Sequence, residues 1–389
     1  MGESRSLRLP KAVVVLGLVS FFNDFSSEMI SPLLPLFITS VLGAGPAALG
    51  LIEGAADATA SLATLVSGFW ADRAKDRSRL VVAGYGLASV ARSTMAFAPS
   101  PAAVLGIRVC DRIGKGVRTS ARDALLAESV SREQHGRAYG FHRAMDNAGS
   151  VAGPLAAAGL LALGLKLRPL FLCAVAPACV TMALVAFKVR DARLGGAPER
   201  ADARWSPPPP RLRGYLLVLF LFYLGQSTDA FLLLRASGLG VRTALIPILW
   251  AVFHVAKSGS GVRFGELSDK IGRRPVILAG WTVYAAAYAA FAFADRAWQM
   301  WPLFCFYGLF YGLTEGPERA LLAGLAERGG HGAAFGWFNF VEGIGLLCAS
   351  LLFGVLWQRL GPATAFLSGA GIAVLSAGAF LAIDLPSKA

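Results

Sequence analysis

Gly136-Arg137-Ala138-Tyr139-Gly140-Phe141-His142-Arg143-Ala144-Met145-Asp146-Asn147-Ala148-Gly149 returns 196 positions later as Gly332-Ala333-Ala334-Phe335-Gly336-Trp337-Phe338-Asn339-Phe340-Val341-Glu342-Gly343-Ile344-Gly345, with its glycines, an aromatic and an acid in register. Arg122-Asp123-Ala124-Leu125-Leu126 faces Glu318-Arg319-Ala320-Leu321-Leu322 at the same offset, and Gly68 to Asp72 lies 197 positions before Gly265 to Asp269. Duplication in a strongly apolar chain implies two homologous halves with a path between them, the plan of a membrane transporter.

The surrounding composition fits that plan. The chain of 389 residues is 55% hydrophobic and 16% charged, with a mean hydropathy of +0.57, which excludes an ordinary soluble domain and fits a polytopic membrane protein. With about 20 residues needed to cross the hydrocarbon, apolar runs predict twelve spans at 12–41, 47–70, 80–98, 101–124, 140–163, 169–187, 214–234, 243–264, 275–294, 298–321, 333–357 and 362–383. The expected fold class is all-α, with an N-terminal six-helix bundle over 1–187, a cytoplasmic linker over 188–213 stiffened by Pro207 to Pro210, and a C-terminal bundle over 214–389.

Lys and Arg orient the spans. A cytoplasmic N-terminus puts 21 bases in inside segments and six outside, the six being Lys166, Arg168, Arg235, Arg242, Arg296 and Arg359. The positive-inside rule therefore predicts cytoplasmic termini. The net charge of +13 is mostly this topology signal, and no basic domain is left to suggest nucleic acid. The first apolar run continues too far for a cleavable signal peptide. Cys110, Cys173, Cys179, Cys305 and Cys348 fall inside predicted spans without metal-like spacing and read as buried small hydrophobes.

Two loops carry a recognisable pattern. Gly265-Glu266-Leu267-Ser268-Asp269-Lys270-Ile271-Gly272-Arg273-Arg274-Pro275 joins spans 8 and 9, and Gly68-Phe69-Trp70-Ala71-Asp72-Arg73-Ala74-Lys75-Asp76-Arg77 joins spans 2 and 3. Gly265 is expected to let two helices approach closely, and Asp269 and the bases after it to make charge contacts at the rim that form in one state and break in another. Both loops resemble the G-x-x-x-D-[RK]-x-G-[RK]-[RK] signature of the major facilitator superfamily. The second copy matches fully; the first has Lys75 in the glycine place and Asp76 where a base is expected. The resemblance implies twelve helices in two pseudo-symmetric bundles, alternating access around a central site, and gating roles for Gly68, Asp72, Arg73, Arg77, Gly265, Asp269, Arg273 and Arg274.

In span 5, Gly149-Ser150-Val151-Ala152-Gly153-Pro154 resembles the G-x-x-x-G-P motif of the superfamily's exporters and antiporters. Gly149 and Gly153 make a flat face for helix packing and Pro154 bends the helix. The copy in span 11 keeps Gly345 and loses the Gly-Pro pair. The asymmetry favours export, although paired small residues occur in membrane helices of every kind.

Charges at membrane depth are costly and face a cavity or a partner. Asp24 and Glu28 lie four apart in span 1, as do Glu53 and Asp57 in span 2, so each pair shares a helix face. Arg108, Asp111, Arg112 and Lys115 form a polar stripe down span 4. Arg112-Ile113-Gly114-Lys115-Gly116 resembles the R-x-x-x-G signature of proton-coupled exporters in the superfamily, which implies a proton-transfer role for Arg112. The first half holds six acids and six bases at depth, Arg92, Arg118, Arg143 and Asp146 among them, so neither a cationic nor an anionic substrate follows, and each charge also reads as an internal ion pair. Spans 1 and 4 line the central cavity in the family, which singles out Asp24, Glu28, Arg108 and Arg112. Asp229 matches Glu28 through Ser227-Thr228-Asp229 and Ser26-Ser27-Glu28, so the two acids are expected to meet across the pseudo-symmetry axis. Phe21, Phe25, Tyr223, Phe231, Trp250, Phe253, Tyr307 and Tyr311 offer an aromatic wall, with packing roles equally open to each.

Other chemistry lacks its residues. No P-loop surrounds Lys115, Gly84-Tyr85-Gly86 lacks a third glycine, and His135, His142, His254 and His331 have no metal spacing. The expectation is a secondary active transporter in a bacterial inner membrane, without cofactor or metal, acting as a monomer. It would be a proton-coupled exporter of a small amphiphilic compound or metabolite. Asp24, Glu28, Asp57, Arg108, Asp111, Arg112 and Asp229 would form the coupling site and cavity. An importer and a non-transporting membrane sensor are the alternatives.

Overall fold

The protein is described by a computed structural model covering residues 9–73, 77–130, 134–189, 208, 210–326 and 331–383, with the backbone alone at 68–73, 77, 128, 188, 189, 210, 211, 331 and 332. The gating side chains Gly68, Asp72, Arg73 and Arg77, and most of the expected 188–213 linker, therefore lie outside what is described.

Fifteen α-helices follow one another among these residues: α1 (Lys11–Ile30), α2 (Leu34–Leu36), α3 (Pro46–Arg73), α4 (Arg77–Ser93), α5 (Pro101–Glu128), α6 (His135–Ala162), α7 (Leu167–Cys173), α8 (Val175–Leu184), α9 (Pro210–Gly225), α10 (Ala230–Gly238), α11 (Ile246–Ile271), α12 (Arg273–Phe293), α13 (Met300–Leu325), α14 (His331–Leu360) and α15 (Pro362–Ala382). Short 3-10 and π turns continue α1 through α2 to Val41, α7 abuts α8, which continues to Val189, and α9 and α10 form one interrupted run, so the described helices make twelve end-to-end segments. Nine described segments are long and apolar enough to cross a membrane. The other three, α5, α6 and α13, have 28, 28 and 26 residues but carry the charges that form the site. Helix α9 starts at Pro210, inside the range expected for the linker.

Local sequence sets the breaks. Ser100 caps α5 by accepting a hydrogen bond from the Ala103 amide, with Pro101 in the first turn, where its missing N–H costs nothing. Gly43, Gly164, Gly240 and Gly361 turn the chain at one end of the bundle, and Gly272, with φ +93°, separates α11 from α12 at the other. A positive φ favours glycine, so Gly272 is what makes the 265–275 loop tight.

Small residues let the helices meet, as expected where lipid removes the usual hydrophobic drive. A Cβ at Gly149 would lie 2.5 Å from the Phe21 carbonyl oxygen, and one at Gly153 would lie 2.5 Å from that of Phe25, so α6 rests directly on the stretch of α1 that holds Asp24 and Glu28. Gly84 of α4 and Gly114 of α5 seat against each other's backbone, 2.7 and 2.6 Å from the facing carbonyls. The halves join along α3 and α14, where Gly54 faces Leu347 and Ser350, Gly343 faces Ala58 and Ser61, and Gly354 faces Pro46 and Ala47. They also meet through α6 with α11, and at the Gly43 end through α2 with α10 and residues 243–245 with α6.

Two expectations are corrected. A Cβ at Gly265 would meet nothing within 4 Å, so this glycine mediates no close helix approach in this conformation. Cys110, Cys179, Cys305 and Cys348 are exposed and Cys173 half-buried, all free, because they sit on outward helix faces where lipid rather than protein accepts a small apolar side chain.

Candidate functional site

The first half is tied together by buried charge. Arg92 of α4 places Nε 3.0 Å from Asp111 Oδ1 of α5, donates through Nη1 to the Asn23 carbonyl at 2.7 Å, and through Nη2 to Asn23 Oδ1. Arg108 donates through Nη2 to Glu53 Oε2 of α3 at 2.5 Å, and its Nη1 stands 4.0 Å from Asp111 Oδ2. All four ionisable residues are buried. One continuous network thus links α1, α3, α4 and α5, with each charge neutralised as burial requires.

Around this network the charges loosen. Arg112 Nη2 stands 3.9 Å from Asp57 Oδ1, a contact at the limit of an ion pair, and both side chains are half-buried. Asp24 accepts from Asn23 Nδ2 at 2.8 Å. Lys115, one turn beyond Arg112, has an exposed side chain although charges from α1, α3 and α5 act on it from inside the bundle, Asp24 and Asp57 among them. It therefore points into a solvent-accessible space between the helices. At the Gly43 end the halves are held together by contacts of α2 with α10 and of residues 243–245 with α6.

The second half gathers aromatic rings around Asp229, with Tyr307 and Phe253 fully buried and Trp250 and Tyr311 half-buried. Asp229, preceding α10, accepts from Tyr307 Oη at 2.6 Å and Tyr311 Oη at 2.9 Å, both on α13. Phe253 of α11 stacks on Tyr307, centroids 5.7 Å apart, and on Trp250 at 4.8 Å. Lys257 lies 4.1 Å over the Tyr311 ring and 3.3 Å from Glu315 Oε2. Polar contacts cross between the halves: Trp250 Nε1 donates to Glu28 Oε2 at 2.7 Å, Arg143 Nη2 stands 4.0 Å from Glu315 Oε1, and at the Gly43 end the Ala47 amide donates to Gln358 Oε1 at 3.2 Å.

Asp24, Glu28, Asp57, Arg108, Asp111, Arg112 and Asp229 are thus distributed over one central region. Glu28 and Asp229 do not pair as expected: Glu28 turns to Trp250, with His254 Nε2 at 3.9 Å, and Asp229 turns to the two tyrosines. Like charges gain nothing by meeting, and each has a donor nearer to hand. Glu53, counted among the buried acids but not among the site residues, proves to be the partner of Arg108. Its four-residue spacing from Asp57 was the available signal. In the 265–275 loop, Asp269 is exposed and forms no ion pair with a described residue, while Arg274 donates to the carbonyls of Phe380, Leu381 and Ile383 and so anchors the end of α15.

Apolar segments in two repeated halves, with charges gathered between them, are the plan of a polytopic membrane transporter. The sequence model of the Major Facilitator Superfamily matches residues 16–260 and again 215–389, and the chain belongs to this family. It is 31% identical over 375 residues to an uncharacterised MFS-type transporter of Methanocaldococcus jannaschii, covering 95% of this chain and 94% of the relative. A shorter match, 26% identical over 116 residues and covering 30% of this chain and 29% of the relative, is to the multidrug resistance protein MdtH of Cronobacter sakazakii. Among solved structures, a D323A mutant of the nucleoside transporter NupG has a similar fold, with a TM-score of 0.80 at 13% identity, covering 96% of this chain and 99% of that one. So has an inward-facing, occupied bacterial homologue of the human lysosomal transporter Spinster, with a TM-score of 0.77 at 15% identity and 95% of each chain covered. The protein is an all-α, multi-pass MFS transporter.

Proposed function

We propose that this transporter is a proton-coupled exporter of small amphiphilic compounds, working by alternating access between the two halves in a bacterial inner membrane, with both termini cytoplasmic. The observation that carries the reading is the arrangement of half-buried acids around exposed Lys115. These are Asp24, Glu28 and Asp57 of the first half, of which only Asp57 lies within ion-pair distance of Arg112, while Asp229 of the second half is held by Tyr307 and Tyr311. A carboxyl held at that distance has two states of similar cost: ionised and drawn to the guanidinium, or protonated and released. A proton or a substrate that favours one state biases the position of α5 against α3, which is coupling between two ligands through one equilibrium.

The polar wall of the first half and the aromatic wall of the second suit a compound with both characters. Export is supported by the Gly149 to Pro154 motif, whose glycines seat α6 against the acids of α1, and by the partial likeness to a multidrug resistance protein. The gating roles of the two loops and the division at 188–213 belong to the same proposal.

The test is to reconstitute the protein in proteoliposomes containing a pH-sensitive dye and to apply a panel of drugs, sugars, amino acids and organic acids. At least one compound is expected to move protons with wild-type protein and not with Asp24→Asn. Compounds that cross without proton movement, or an Asp24→Asn variant that keeps coupling, contradict the proposal. Proton movement in the same sense as the compound indicates import.

A further inference from the structure

Asp146 of α6 has no part in the site described above, yet it is built into the same seam as Asp24. A Cβ at Gly149 would lie 3.1 Å from Asp24 Cβ, and Asp146 is three residues before Gly149 on the helix, hence on the same side. Ser20 is one turn before Asp24 on α1, and its hydroxyl donates to Asp146 Oδ1. The two carboxyls therefore occupy neighbouring levels of one helix contact.

Neither carboxyl has a Lys or Arg partner within ion-pair distance among the described residues. Asp24 takes a hydrogen bond from Asn23, and Asp146 takes one from Ser20 and has His142 Nδ1 at 3.5 Å from Oδ2. The neighbouring bases have other attachments or stand off. From α5, Arg118 lies 4.4 Å over the Tyr85 ring of α4, Arg122 is bound to Asp123 at 2.9 Å, and Lys115 faces the solvent space. From α4, Arg92 is held by Asp111 and Asn23. His142 is buried, and its Nε2 has no hydrogen-bond partner.

Two half-buried carboxylates on successive levels of one helix contact repel each other, and one proton between them removes the repulsion while leaving a single charge for the bases of α5 to balance. We propose that Asp24 and Asp146 form one proton-holding pair across the α1–α6 contact, with Asp24 the member open to the central space and His142 positioning Asp146. This rests on the proton-coupling reading and adds Asp146 and His142 to it as residues that act through Asp24. The duplicated half has no such pair. Asp146 corresponds to Glu342 and His142 to Phe338 in the repeat, and counting from the Glu28 and Asp229 match places Gly225 where α1 has Asp24.

The test needs no transported compound. Infrared difference spectra of the full-length protein in lipid nanodiscs, with 13C-labelled aspartate, report the carbonyl stretch of a protonated aspartic acid. Subtracting Asp24→Asn from wild type, and separately Asp146→Asn from wild type, is expected to give the same single band at full amplitude, with no further loss in the double variant. Asp146→Glu, which keeps a carboxyl in place, is expected to retain an aspartic acid band and serves if Asp146→Asn does not fold. The proposal is overturned if Asp146→Asn leaves the Asp24 band intact, if the two variants remove different bands, or if wild type has no protonated aspartate. A shared band together with compound transport free of proton movement would leave the pair standing and remove the coupling reading instead.

Discussion

At position 92, α4 carries an arginine 3.0 Å from Asp111. At the corresponding place in the repeat, 196 residues on, α12 carries Tyr288, whose ring centroid lies 6.0 Å from that of Tyr307, the counterpart of Asp111. The exchange recurs. Arg108 and Glu53 form an ion pair where the second half has Phe304 and, at the 197-residue offset that relates α3 to α11, Trp250; Asp57 corresponds to His254 and Lys115 to Tyr311. One ancestral arrangement of helices is thus held by charge in one copy and by stacked rings in the other.

The difference matters for mechanism because the two kinds of contact respond differently to a proton. Protonating one carboxyl of a buried network leaves its arginine unpaired in a medium where that is costly, so the helices have reason to move. Aromatic stacking has no such second state and keeps its geometry. Where the second half does bury an acid, it surrounds it with neutral donors: Glu318 accepts from Trp281 Nε1 at 2.9 Å and Tyr223 Oη at 3.4 Å. In the proposed coupling the first half would be the moving part, and the second the firmer wall against which a substrate rests.

The largest effect is expected from making the halves alike. Glu53→Leu alone strands Arg108 in the core and should cost about 3 to 5 kcal/mol, seen as a large drop in thermal midpoint in detergent. Adding Arg108→Phe, the residue the second half has at that place, removes the stranded charge and should recover most of that stability and abolish transport. Recovery of both stability and transport would break the distinction between the halves. A moderate effect is expected at Glu318. Glu318→Ala leaves the Trp281 and Tyr223 donors unmatched and should lose about 1 to 3 kcal/mol, whereas Glu318→Gln should keep fold and proton coupling. The smallest is at Gly265, where Gly265→Ala meets open space and should change stability by less than about 0.5 kcal/mol. If transport nevertheless falls, the close approach expected at Gly265 belongs to the other state of the cycle.

Much of this architecture could be read from the residues themselves. The repeat, the apolar runs and the glycine spacing lead to the helical segments and to a packing face on α6, because each acts through local physics, whereas only the fold shows that α1 is what fills that face. The acids and bases of spans 1 to 4 were likewise legible as a group, since an unpaired charge at that depth is untenable. Their pairing was not. Glu53 and Asp57 share a helix face, and only the approach of α5 to α3 decides that the first takes Arg108 and the second waits near Arg112. For the same reason the match between Glu28 and Asp229 suggested a contact that the intervening Trp250, Tyr307 and Tyr311 replace. Asp146, read as a bundle contact, gains its interest from Ser20 and Gly149, neither of which is charged.

The most direct test of the account is the proton flux that accompanies a transported compound in proteoliposomes of known orientation, compared between one variant from each half. The account predicts that wild type and Glu318→Gln move protons opposite to the compound, while Asp24→Asn moves the compound, if at all, without protons. Coupling lost in Glu318→Gln and kept in Asp24→Asn would contradict it.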